Sequence, residues 1–120
     1  MICRIGFAQN IEYPITVFIG DLKCVDEVEL NRMQLINAGK LSVIANSNDT
    51  LTEVSFTMQA SIGDELTPKY LAKNPYFTSD MKSIINYFKK PINKIWIEKI
   101  TVKYREEIIK LPDFRIRIKD

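Results

Sequence analysis

A mainly β, sandwich-like domain with one or two short helices is the fold class this 120-residue sequence predicts. Three patterns predict it. Val54, Phe56 and Met58 alternate with Ser55, Thr57 and Gln59, the period-2 signature of a half-buried strand. Ile95 and Ile97, then Ile100, Val102 and Tyr104, are apolar on alternate positions, as are Phe114, Ile116 and Ile118 between Arg115, Arg117 and Lys119. Only two segments carry helical spacing with end signals.

The elements follow in chain order. Pro14 suits the start of a strand or an edge strand, and Ile15, Val17 and Ile19 alternate with Thr16 and Phe18 up to a Gly20-Asp21 turn. Residues 27–38 read as a short helix. Asp26 and Glu29 have capping-box spacing, Leu30, Met33 and Ile36 share a face, and Gly39 closes it. Leu41 to Asn46 reads as a strand, Asn46 to Asp49 as a turn, and Leu51 to Ala60 as the antiparallel partner of the first. Gly63-Asp64, Pro68 and Asn74-Pro75 make residues 61–76 a loop. A second helix spans 78–90, capped by Thr78 or Ser79, with Met81, Ile84, Ile85 and Phe88 as its stripe. Lys89 and Lys90 in its last turn complement the helix dipole, and Pro91 stops it. The apolar phase then changes near Glu98-Lys99, which predicts a β-bulge or bend. Arg105-Glu106-Glu107 is the turn region of a C-terminal hairpin with one apolar and one basic face. In all, the reading is six or seven strands.

Length and patterning imply one domain over residues 1–120, with a core from about residue 12. The longest uncharged run, between Glu53 and Asp64, is far short of the ~20 residues of a membrane-spanning helix. Met1 to Asn10 does not read as a secretory signal. Cys3 and Cys24 permit one disulfide, and two unpaired thiols satisfy the sequence as well.

Histidine is absent, which removes Ser-His and Cys-His nucleophilic arrangements and Cys/His zinc sites. The paired carboxylates Asp26/Glu27, Asp64/Glu65 and Glu106/Glu107 fall at caps and turns, where solvated acids are expected. The four glycines, at 6, 20, 39 and 63, form no phosphate cradle. The oxygen-rich Asn46-Ser47-Asn48-Asp49 lacks EF-hand spacing and reads as a plain turn. No cofactor and no catalytic role is predicted.

From about Glu12 to Asp120 the chain resembles the C-terminal domain of GldM-type proteins, the gliding-motility and type IX secretion motor components of Bacteroidetes. The residues carrying the likeness are the proline-containing lead-in IEYPITVFIGDLKC, the stretch VELNRMQLINAGKLSVIA, the strand VSFTMQ, the helix FTSDMKSIINYFKK, the strand NKIWIEKITVKY with Trp96, Glu98 and Ile100, and the ending PDFRIRI. Where that family has a Pro-Asp-Gly turn in its last hairpin, this chain has Arg105-Glu106-Glu107. The resemblance implies a non-enzymatic, periplasmic, dimeric module that contacts envelope proteins. The N-terminus points instead to a free-standing cytoplasmic adaptor as the alternative.

Charge is divided along the chain. Residues 1–65 carry 4 Lys and Arg against 9 Asp and Glu, a net of −5, and residues 66–120 carry 13 against 6, a net of +7. The predicted partner-binding residues are Lys99, Lys103, Arg105, Arg115, Arg117 and Lys119 on the basic face of the last hairpin, suited to an acidic protein partner. A solvated face guarding the sheet against edge aggregation is the plainer account, and nucleic acid the third. Trp96, Tyr104 and Phe114 interleave with these cations, but their phase assigns them to the core, which weakens a stacking role.

Overall fold

The computed structural model describes residues 14–46, 48–87 and 90–119. Two sheets face each other as a sandwich-like, mainly β domain with two short helices. The smaller sheet has the order β2-β1-β4-β5, from Leu22–Lys23 (β2), Ile15–Ile19 (β1), Ser42–Ala45 (β4) and Asp49–Leu51 (β5). The larger has the order β3-β11-β9-β6-β7, from Glu27–Leu30 (β3), Phe114–Ile118 (β11), Ile92–Tyr104 (β9), Val54–Ile62 (β6) and Glu65–Leu66 (β7). Tyr70–Ala72 (β8) also pairs with β6, and Glu107–Leu111 (β10) with β9. The helices are Arg32–Ala38 (α1) and Ser79–Ile85 (α2).

The core is the inward phase of the alternating strands. Val54, Phe56, Met58 and Ala60 of β6 and Ile95, Ile97, Ile100 and Val102 of β9 are buried. They face Val17, Ile19, Val43, Ala45 and Leu51 of the smaller sheet. Apolar burial of this kind contributes ~25 cal/mol per Å². A polar tie joins the sheets at one end: the Tyr104 hydroxyl donates to Asp49 Oδ2 at 2.8 Å and accepts from Asn46 Nδ2 at 2.9 Å. The oxygen-rich turn thus serves packing through Asn46 and Asp49; Ser47 lies outside the described residues.

The phase change read at Glu98-Lys99 is a bulge. Ser55 opposes Thr101 while Thr57 opposes Glu98, so β9 has one residue more than β6 there. Lys99 absorbs it at φ 53, and its N–H turns to Asp113 Oδ1 at 3.0 Å.

Several expectations are corrected. The first helix starts at Arg32, not at 27, because Asp26 sits at φ 56 and cannot take the extended conformation of an N-cap. Asn31 and Gln34 form the capping box instead. Glu27–Leu30 is a strand, drawn into parallel pairing with β11. Leu35 and Arg32 point inward, and Met33 is exposed. Gly39 ends α1 at φ 68, in the left-handed conformation expected of it.

The second helix ends at Ile85 and not at Lys90; Asn86 caps it, and Phe88 and Lys89 lie outside the described residues. Thr78 caps its start, accepting from the Met81 N–H. The strand over Ser42–Ala45 pairs with β1 and β5, while Val54 onward leaves for the other sheet. Residues 61–76 hold β7 and β8 along β6, continued by Thr67, whose hydroxyl and N–H both bond Ala60 at 2.9 Å. The C-terminal hairpin closes between β9 and β10; Pro112, lacking an N–H, separates β10 from β11, which returns along the first half of β9.

Candidate protein-binding surface

The outer face of the larger sheet carries the side chains that alternate with the core. By register its rows run Glu27–Arg115–Trp96–Gln59 and Glu29–Arg117–Lys94–Ser61–Leu66. A third joins Glu98, Thr57 and Leu71, and on the other side of the bulge Lys103 stands opposite Ile108. All of these outward residues are half-buried or exposed.

The six predicted basic residues do not form one patch. Arg117 lies opposite Lys94 and Arg105 follows Tyr104 at the far end of β9. At ~3.3 Å per residue they are roughly 35 Å apart. Arg115 and Arg117 sit beside the acids of β3: Arg115 Nε is 3.5 Å from Glu27 Oε1, and Arg117 Nη2 is 3.0 Å from Glu29 Oε2. Lys94 joins the same Glu27 oxygen at 3.4 Å. These exposed pairs add ~0–1 kcal/mol each to stability, but with two carboxylates against three cations they offset most of the charge in that half of the face. Lys119 follows it, its N–H held by the Leu30 carbonyl at 3.0 Å. In the other half, Lys103 and Lys110 enter no ion pair among the described residues. Lys99 occupies the bulge, and the Arg105 guanidinium lies 5.1 Å from the Tyr104 ring centroid.

The sequence reading missed the apolar content of this face. Trp96 belongs to the outward phase, because its neighbours Ile95 and Ile97 point inward, and it is half-buried; Tyr104 and Phe114 are in the core as expected. Trp96 walls an open depression shared with Asp26, Glu98, Asp113 and Arg115. Leu66, Leu71 and Ile108, exposed at 63%, 54% and 73%, stand on the same face by register. The alternation around Ile95 already contained the signal for Trp96, whereas β7 and β8 are too short to show a phase.

No family model matches this chain, and no curated protein or solved structure gives a match.

Other candidate chemistry is dispersed. Among the described residues no group of three or more Cys, Asp or Glu side chains is placed to hold a metal ion. No helix is long and apolar enough to cross a membrane among them. Of the carboxylate pairs, Glu27 is spent on ion pairs, the Asp26 carbonyl accepts the Arg115 N–H at 2.8 Å, and Glu106 forms part of a tight turn at φ 69.

Cys24 is buried, and its Sγ donates to the Leu22 carbonyl at 3.5 Å; Cys3 lies outside the described residues. Burial pushes the Cys24 thiol from 9.0 up to about 11, against a smaller opposing effect of a backbone hydrogen bond at Ile19. A raised thiol pKa means that the folded chain holds the proton more tightly than the unfolded one. The contribution to stability is therefore full below about pH 9 and lost as pH rises through about 11. At pH 8 a disulfide reagent should label Cys24 about a hundredfold more slowly in the folded chain than in denaturant. Peptide mapping of the time course would check this, and equal rates would show that the side chain is open to solvent.

Proposed function

We propose that this chain is a non-enzymatic protein-interaction module, a structural part of an assembly like the C-terminal domain of the GldM-type proteins that it resembles. One observation supports this reading. Trp96, Leu66, Leu71 and Ile108 all stand on the outward face of one sheet, among paired charges. A sheet open to water on one side ordinarily alternates polar side chains there. A large aromatic with arginine beside it is the composition enriched at protein interfaces. The arginines of this face are already matched by Glu27 and Glu29, which lowers their availability to nucleic-acid phosphate.

A photo-crosslinking amino acid at position 96, and separately at 71, should give discrete protein adducts in cells that make this chain. Absence of adducts at both positions would remove the reading. Fractionation of the same cells decides the compartment. Adducts in the envelope fit the family-like role, and adducts in the cytosol fit the free-standing adaptor.

A further inference from the structure

The outer edge of β10 combines three features. First, β10 pairs with β9 on one side, and among the described residues no strand lies along its other side. Second, the hairpin turn sets which backbone groups face that open side. Tyr104 opposes Glu107 across the two residues Arg105 and Glu106, both at positive φ. This is a type I′ turn, whose flanking residues form a hydrogen-bonded pair. Glu107, Ile109 and Leu111 therefore direct their N–H and C=O groups to β9, and Ile108 and Lys110 direct theirs outward. The Lys103 N–H agrees with this phase: it bonds the Glu53 carbonyl at 3.0 Å, away from its opposite number Ile108.

Third, the side chains along the edge are matched to one chemistry. Ile108 is 73% exposed, with Lys103 opposite it and Lys110 two residues on, all on the outward face. Neither lysine enters an ion pair among the described residues, in contrast to Arg115 and Arg117. On the inward face Ile109 and Leu111 are only half-buried, packed against the rim of the core.

We propose that this edge receives an extended segment of a partner protein as an added β-strand, one that alternates acidic and apolar residues. The proposal rests on the protein-interaction reading and names the partner's chemistry. The segment's backbone pairs with the outward groups of Ile108 and Lys110. Its carboxylates lie beside Lys110 and, across Ile108, toward Lys103 on the outer face, and its apolar side chains continue the core over Ile109 and Leu111. Pro112 ends the available edge, so the added strand is short.

The test is fluorescence anisotropy with the intact chain and a labelled nonapeptide alternating valine and glutamate; a valine–lysine peptide serves as the counter-probe. The acidic peptide should bind, with affinity falling as salt rises, and the basic one should not. Lys110→Pro removes an outward N–H and no bond to β9, so it should leave the melting curve nearly unchanged and weaken binding more than tenfold. Lys110→Gln should weaken it severalfold, and Ile108→Lys should tighten it. If K110P unfolds the chain, Ile108→Asp provides the same reading through repulsion. Equal binding by both peptides, or indifference of the acidic peptide to I108K and I108D, overturns the proposal. So does a wild-type dimer in light scattering that K110P converts to monomer, since the edge would then belong to a second copy. Crosslinking at position 96 that persists in K110P would leave the interaction reading standing whatever happens at this edge.

Discussion

Replacing Arg32 with leucine should lower stability by about 3 kcal/mol, and the melting temperature by about 12 °C for a domain of this size. Arg32 is 6% exposed. Its Nη1 donates to the carbonyls of Ile85, at 3.2 Å, and Tyr87, and its Nη2 to that of Lys90 at 3.3 Å. These are the last carbonyl of α2 and two in the segment leaving it, groups that a helix end cannot satisfy internally. The guanidinium thus fastens the start of α1 to the end of α2 with a planar fork. Leucine keeps apolar volume but leaves these acceptors without their donor, at ~1–3 kcal/mol for a buried one and less where water enters. Lysine should recover under half of the loss, because one ammonium cannot span the three carbonyls. Thermal melts of R32L and R32K check this, with hydrogen exchange of the α2 amides as the local readout. Wild-type stability in R32K would show that charge alone, and not the fork, holds the helix pair.

Arg32 also shows where sequence reading reached its limit. A charged residue in the first turn of a helix ordinarily faces water, and nothing local records that the end of another helix lies above it. The strands that could be read were those long enough to display alternation. Val54 to Ala60 and Ile95 to Tyr104 announced their buried faces, and the broken phase at Glu98-Lys99 announced the bulge. Gly39 and Thr78 marked helix ends through local backbone chemistry. Glu27 to Leu30 has a strand's alternation, yet Asp26 and Glu29 imitate a capping box. Only pairing with Arg115 to Ile118, distant in sequence, decides in favour of the strand. That same pairing divided the predicted basic face. With β11 beside the first half of β9, Arg115 and Arg117 meet the acids of β3, and Lys103 is left with β10. Residue types alone place the cations in one stretch of sequence; that Arg115 and Arg117 meet acids while Lys103 and Lys110 enter no ion pair among the described residues is a property of topology.

Phe56→Ala should be the most damaging truncation in the core, at about 4 kcal/mol. Phe56 is fully buried in the first half of β6, opposite Ala72 of β8. Its ring lies 6.3 Å from that of Phe77 at 73°, an edge-to-face contact. Phe77 directly precedes the Thr78 cap, so the two rings attach the start of α2 to the inner face of the larger sheet. Ala72 is small and lies on a backbone held in the ladder, so the neighbourhood cannot collapse into the space that the ring leaves. Phe56→Leu should cost only about 1–1.5 kcal/mol, since it restores most of the volume. The double variant with Phe77→Ala separates the ring contact from burial. Denaturant titration should show the two losses to be non-additive by about 1 kcal/mol. Additive losses would mean that each ring acts only through the area it buries. A loss below about 1.5 kcal/mol for F56A alone would mean that α2 moves to fill the space. Its attachment would then depend on Arg32 at the far end of the helix rather than on the aromatic pair at its start.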